Sequence, residues 1–225
     1  MFRIAGIVLS CVWLAACAQR PTFEIPPVQA VPGPLPTEFG GYWERDYSRG
    51  ADANTELRML YRGIGPNGSR YPAGQGPSMS ARQFGVLSAM AEFADEITRH
   101  DVLTIVQDDR EIVVQRKDDY SITCSFHGGV ANPVDSDYGD EVCVWDAAEL
   151  VSTLVLPDGL LVRHRFTKSA DGERLRVTTT VASQESRTPF TLQRFYRRYV
   201  PPASEFNCIE TLSMKRVCST GEIAQ

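Results

Sequence analysis

The chain has 225 residues, with 23 lysines and arginines against 28 aspartates and glutamates, for a formal charge of −5. That balance argues against nucleic acid and against broad adhesion to anionic lipid, both of which call for a basic surface. The hydrophobic share of 43% is enough for one domain to bury its own core once the N-terminal segments are set aside.

The chain opens with a cation, Arg3, and an apolar run from Ile4 to Leu14 broken only by Gly6 and Ser10. This run is too short to span a membrane and has the length of a signal-peptide hydrophobic region. It closes on Leu14-Ala15-Ala16-Cys17, where two small residues precede a thiol. The segment resembles a bacterial lipoprotein signal. The resemblance implies that residues 1–16 are removed, that Cys17 is acylated, and that two or three acyl chains anchor the protein stably. In that family an Asp after the Cys retains the protein at the inner membrane. Here Ala18 follows, which implies the outer membrane of a Gram-negative cell, with the domain facing the periplasm. Six prolines between Pro21 and Pro36 predict an extended tether over 17–37.

Residues 38–225 read as a single β-rich domain. A first strand is expected over 41–47. Leu57, Leu60, Tyr61 and Ile64 then repeat at helical spacing, predicting a helix over 51–64 that ends at Gly65-Pro66. After a glycine-rich loop, Ser80 is placed to cap a second helix over 80–99, with Phe84, Leu87, Ala91, Ala94 and Ile97 on one face. From Val102 onward the pattern is strand-like: 102–107, 112–116, 120–126, 142–145, 150–156, 160–168, 174–181 and 190–199. A polar loop is expected from His127 to Asp140, and a final hairpin carries Cys208 and Cys218. Connections this short require antiparallel neighbours. The expected fold is mainly β with an α insertion: an antiparallel meander barrel or strongly curled sheet of about nine strands, with two helices after the first strand.

Of six cysteines, Cys11 leaves with the signal and Cys17 is assigned to lipid. Cys124, Cys143, Cys208 and Cys218 remain, an even number that in an exported chain reads as disulfides. Three pairings are possible. Strand adjacency favours Cys124–Cys143 and Cys208–Cys218, each joining neighbouring strands. Their spacing matches no zinc pattern.

Phe39-Gly40-Gly41-Tyr42-Trp43 has the form F-x-G-x-W and resembles the first-strand motif of lipocalins. There the glycine permits a close approach, the Trp closes one end of the barrel, and an arginine from the last strand stacks across it. The resemblance therefore marks Gly41 and Trp43 as a barrel-closing motif, with Arg194 or Arg198 as the stacking partner. The helical pair after the first strand departs from the lipocalin pattern, as does the missing Thr-Asp-Tyr loop motif. The later chain is similar to a group of uncharacterised bacterial envelope proteins in Leu103-x-Ile105-x-Gln107, Trp145-Asp146, Ser169-x-Asp171-Gly172 and Tyr196-Arg197-Arg198. That similarity supports the fold and brings no activity.

Signals for chemistry are sparse. No G-x-S-x-G or H-E-x-x-H is present, and His127-Gly128-Gly129 has no nucleophile elbow to serve. His164 shares a strand face with Val162 and Phe166 and reads as a core or rim residue. Asp52 or Asn54 is placed to cap the first helix rather than to bind calcium. No catalytic residue, metal or cofactor is assigned. A four-residue connection at Ser169–Gly172 would set Lys168 against Glu173 and Arg165 against Arg176, with Arg163 and Arg174 on the same face. Opposed arginines need a counter-charge, supplied by carboxylates of adjacent strands or by a bound anion. Arg163, Arg165, Arg174 and Arg176 are therefore candidate anion-binding residues. The sequence favours a non-catalytic binding or interaction domain whose partner is an envelope protein or a small apolar or anionic ligand. Two alternatives stay open: a lipocalin-like carrier, and an enzyme acting on envelope lipid or glycan through His127, His164 or paired carboxylates.

Overall fold

The computed structural model describes residues 35–63, 80–117, 119–127, 130–136, 139–201, 206–209 and 217–220. Cys17 and the Pro-rich tether up to residue 34 lie outside them. In chain order the elements are β1 Gly41–Arg45, α1 Ala53–Tyr61, α2 Ala81–Glu96, β2 Val102–Gln107, β3 Glu111–Arg116, β4 Ile122–His127, β5 Val130–Ala131, β6 Val134–Ser136, β7 Gly139–Asp146, β8 Glu149–Val155, β9 Leu161–Lys168, β10 Arg174–Ala182, β11 Phe190–Tyr199, β12 Phe206–Ile209 and β13 Val217–Thr220. This is the expected mainly β fold, with two helices after the first strand.

Local chemistry sets the element ends. Asp52 caps α1 by accepting from the Thr55 amide at 2.9 Å. The helix stops before the expected Gly65-Pro66, which lies outside the described residues. Arg62 is its C-cap, and Gly63 follows at φ +70°, in the left-handed region that favours glycine, with its amide bonded to the Leu60 carbonyl. Ser80 caps α2 as expected, in a reciprocal capping box with Gln83. The first strand ends at Arg45 rather than at residue 47, because Asp46 folds back to accept from the amide and hydroxyl of Ser48. Part of the expected 127–140 loop is strand: β5 pairs with the end of β4, and β6 with the start of β7.

The main sheet runs β5-β4-β3-β2-β1-β11-β10-β9-β8-β7-β6, every neighbouring pair antiparallel, and the nine longer strands curl into a nearly closed barrel. Eight successive antiparallel steps from β4 to β7 leave those two end strands parallel. No ladder joins them among the described residues. The Cys124–Cys143 disulfide crosses this seam, with its Cα atoms 5.6 Å apart. The pairing is the expected one, but the two strands are the ends of the ladder and not hydrogen-bonded neighbours. Closing a loop of this length stabilises by about 3 kcal/mol in the chain-entropy model.

Alternation along the strands sends one set of side chains into the barrel. The larger apolar cluster includes Phe39, Trp43, Trp145, Leu150, Phe166 and Tyr196. A second joins Leu57, Leu87, Met90, Ala91 and Ala94 of the helices to Val181, Phe190 and Leu192 of the sheet. Phe190 and Leu192 share the face of β11 that carries Tyr196, so the helices cover one end of the same concave surface. Each large side chain buried this way contributes roughly 1.5–3 kcal/mol.

The terminal strands β12 and β13 form a separate antiparallel pair in which Cys208 stands directly opposite Cys218. That register leads us to expect a second bond, Cys208–Cys218. Non-reducing peptide mapping of the oxidised protein should return Cys124–Cys143 and Cys208–Cys218, and a peptide linking either pair to the other would contradict it.

Candidate functional site

Four places bring polar or aromatic groups together: one end of the barrel, a belt inside it, the outer face of β8–β10, and a groove between the helices. At the barrel end, Trp43 is fully buried and its indole Nε1 donates to the Phe39 carbonyl at 2.9 Å. The Arg198 guanidinium lies over the Trp43 ring, 4.2 Å from its centroid, and donates to the Gly40 carbonyl. Of the two arginines the motif offers, Arg198 is the one that stacks. Gly41 sits at φ +119°, and a β-carbon there would collide with the Arg198 guanidinium. A side chain at 41 would therefore displace the arginine from the tryptophan.

Arg194 does something different, which the sequence did not point to. Its side chain is 5% exposed; Nε donates to Thr98 Oγ1 at 3.2 Å and Nη2 pairs with Asp95. Arg45 donates to the Thr98 carbonyl at 3.1 Å, and Arg116 to the Ile97 carbonyl at 3.2 Å. The Tyr196 hydroxyl donates to the His100 carbonyl at 3.3 Å. Groups from β1, β3 and β11 thus converge on the C-terminal end of α2, where free carbonyls and the helix dipole favour cations. Burial pushes the pKa of Arg116 and Arg194 downward, with Asp119 and Asp95 as partial offsets. Burial also raises the Tyr196 phenol to about 12.

His164 lies between the two apolar clusters, 7% exposed, with Nδ1 2.9 Å from the Thr179 hydroxyl. Burial, and then the nearby Arg116, push its pKa down to about 3. It stands opposite Ser152 in the β8–β9 register, and the Ser152 hydroxyl donates to Glu141 at 2.8 Å. Desolvation raises the Glu141 pKa. The histidine therefore meets the Thr179 hydroxyl and stands across the ladder from Ser152, and it lines a space of only about 20 Å³ together with Arg116, Tyr196 and Thr98. That space suits one water. A buried imidazole held neutral by desolvation is a poor general base near neutral pH. The other two histidines sit elsewhere: His100 Nε2 is 3.0 Å from Asp119, and His127 Nδ1 is bonded to Asn132.

The outer face corrects the arginine arrangement. The Ser169 amide donates to the Arg174 carbonyl at 2.9 Å, and Lys168 pairs with Leu175, so the connection includes Glu173. Ser169 Oγ accepts from the Arg174 amide and Asp171 from the Glu173 amide, which builds the longer turn. Arg165 consequently faces Thr178 rather than Arg176, and Arg163 faces Thr180. The two-residue slip keeps all four arginines on the expected face. Arg165 pairs with Glu149 and, at 2.7 Å, with Asp146; Arg176 lies 3.9 Å from Glu149. Against the upward push of burial, the Thr167 hydroxyl and Arg165 hold Glu149 below the usual carboxylate range. Arg163 bonds Thr153, and Arg174 stands opposite Arg197, which pairs with Glu44. Adjacent carboxylates thus supply the counter-charge at Arg165, and the opposition that motivated an anion there is absent.

On the helical side, a groove of about 890 Å³ opens between α1 and α2, bordered by Leu57, Arg58, Tyr61 and Phe84. Tyr61 and Phe84 meet edge to face, at 62% and 39% exposure. No family model matches the chain, and no curated protein matches it. The functional reading therefore rests on the geometry and the N-terminal sequence.

Two outcomes are expected from these sites. Unfolded His164 keeps a pKa near 6.5, and the folded group is at about 3. As pH falls below 6.5 the unfolded chain takes up this proton first. The stability tied to the neutral histidine is complete above that pH and is lost, at up to about 1.4 kcal/mol per pH unit, on the way down to the folded pKa. Urea melts from pH 7 to 4 should therefore fall less steeply for His164→Gln than for wild type; parallel curves would remove the linkage. Arg165→Ala leaves Glu149 without its main partner in a half-buried setting. It should cost about 1 kcal/mol at low salt, and added sodium chloride should narrow the gap.

Proposed function

We propose that the protein is a lipid-anchored envelope lipoprotein whose barrel-like domain is a non-catalytic binding module that works from its outer surface. The observation that carries the second part is the filling of the interior. Phe39, Trp43, Phe166 and Tyr196 occupy the concave side and are at most 3% exposed, and the helices cover one end of it. A lipocalin-like carrier needs an interior volume for its ligand, whereas here the interior space at His164 is about 20 Å³. Recognition is then left to outward features such as the groove beside Tyr61 and Phe84. A partner in the envelope fits this reading better than an enclosed apolar ligand.

The anchoring part rests on Leu14–Cys17, Ala18 and the Pro-rich tether, which support acylation of Cys17, the outer membrane and a periplasmic domain. Cells fed a labelled fatty acid should yield a labelled wild-type protein in the outer-membrane fraction. Cys17→Ser should be unlabelled and either unprocessed or soluble, with its β domain folded. Label on that variant would sink the anchor. For the module, titration with a fluorescent fatty-acid analogue should show no saturable 1:1 site in the folded domain, because the core would have to be displaced. Stoichiometric, saturable binding would restore the carrier reading.

A further inference from the structure

The seam between β4 and β7 differs from every other boundary of the nine-strand barrel. Its two strands run parallel and share no ladder among the described residues, so Cys124–Cys143 stands where backbone hydrogen bonds stand elsewhere. On the inner side the seam is covered by an aromatic contact. Phe126 of β4 and Trp145 of β7 have ring centroids 6.1 Å apart, and Phe39 stacks on Trp145 at 6.0 Å. Trp145 brings a liability with it: among the described residues its buried Nε1 has no hydrogen-bond partner. A buried donor left unmet favours any state that lets it reach water. Opening the seam would do so and would leave all eight antiparallel pairings intact.

We propose that Cys124–Cys143 is a redox lock on the barrel. In the dithiol form the wall opens between β4 and β7 around Trp145, and oxidation shuts it. The chemistry is thiol–disulfide exchange with a small-molecule or protein disulfide. One cysteine thiolate attacks the oxidant to form a mixed disulfide and expels one thiol. The second cysteine thiolate then displaces the other, so two electrons and two protons leave with the oxidant as two thiols. Once made, the bond is slow to reverse, since Cys124 and Cys143 are 1% and 3% exposed and a reductant must wait for the seam to part. The lock is thus set while the seam is open and protected once it is closed. It stands independently of the lipid anchor and of any partner.

The test compares the oxidised full chain with Cys124→Ser/Cys143→Ser by amide hydrogen exchange and indole NMR. Amides of β4 and β7 should exchange about tenfold faster or more in the variant, while those of β9–β11 stay within about twofold. The Trp145 indole N–H should exchange faster with water. The Trp43 indole, bonded to the Phe39 carbonyl, should not change and serves as the internal control. Even acceleration over the whole sheet would overturn the proposal, because the bond would then be a general staple. Global unfolding of the variant would overturn it too, since the ladders are required to stand without the bond. Unchanged exchange at β4 and β7 would show that the seam closes without it.

Discussion

The fold depends on how the C-terminal end of α2 is held. A helix end presents carbonyls without partners, and turning it toward a barrel interior would bury them at a cost of a few kcal/mol. Arg116, Arg45 and Tyr196 meet that need at the Ile97, Thr98 and His100 carbonyls, and Arg194 holds the Thr98 hydroxyl and the Asp95 carboxylate, so the helix end is bound by the sheet and does not merely rest on it. The same contacts decide what the interior can be. With α2 fixed there, the apolar side chains of the helices pack on Val181, Phe190 and Leu192 at one end of the concave surface. The buried guanidiniums are tolerable because Asp95, Asp119 and the helix carbonyls surround them.

The second constraint is the parity of the sheet. An even number of antiparallel strands can close with one more ladder of the same kind. Nine cannot, because the first and last run the same way, and a parallel pair needs a crossover between its members. The chain supplies one between β4 and β7, with the short β5 and β6 extending the two edges. These end strands are two and three residues long, which leaves little edge for another chain to pair with.

The strands were legible because one side of each faces a core, and alternation such as Ile122, Cys124, Phe126 against Thr123 and Ser125 has only one regular reading. The Ser80 cap was legible and Asp52 was one of two candidates for the first helix; each stands three residues before the amide it accepts from. The Gly41–Trp43 motif pointed to an arginine stacked on Trp43, and the partner was narrowed to two positions four residues apart. Their roles separate only when the register is known: Arg198 lies opposite Trp43, whereas Arg194 lies opposite Val177, nearer the helices. The outer arginines show the opposite failure. Face follows from parity and was right. The partner follows from turn length, which Ser169 and Asp171 altered by side-chain bonds that composition does not reveal. The interior void and the cage around α2 were hidden because they join residues from separate elements, 19 to 99 positions apart in the cage.

The place of β1 in the sheet has a consequence for how the molecule is made. β1 precedes every other described strand in the chain, and its ladder partners are β2 and β11. The pairing of Trp43 with Arg198 spans most of the domain, so that contact must wait until the last long strand exists. Until then one edge of β1 is unpaired and the Trp43 ring lacks its arginine. Long-range closure of this kind carries a large loop entropy and slows folding. The growing chain is thus exposed to misassembly at β1, and the order of synthesis makes the Gly41–Trp43–Arg198 contact a late event that joins the two halves of the sheet.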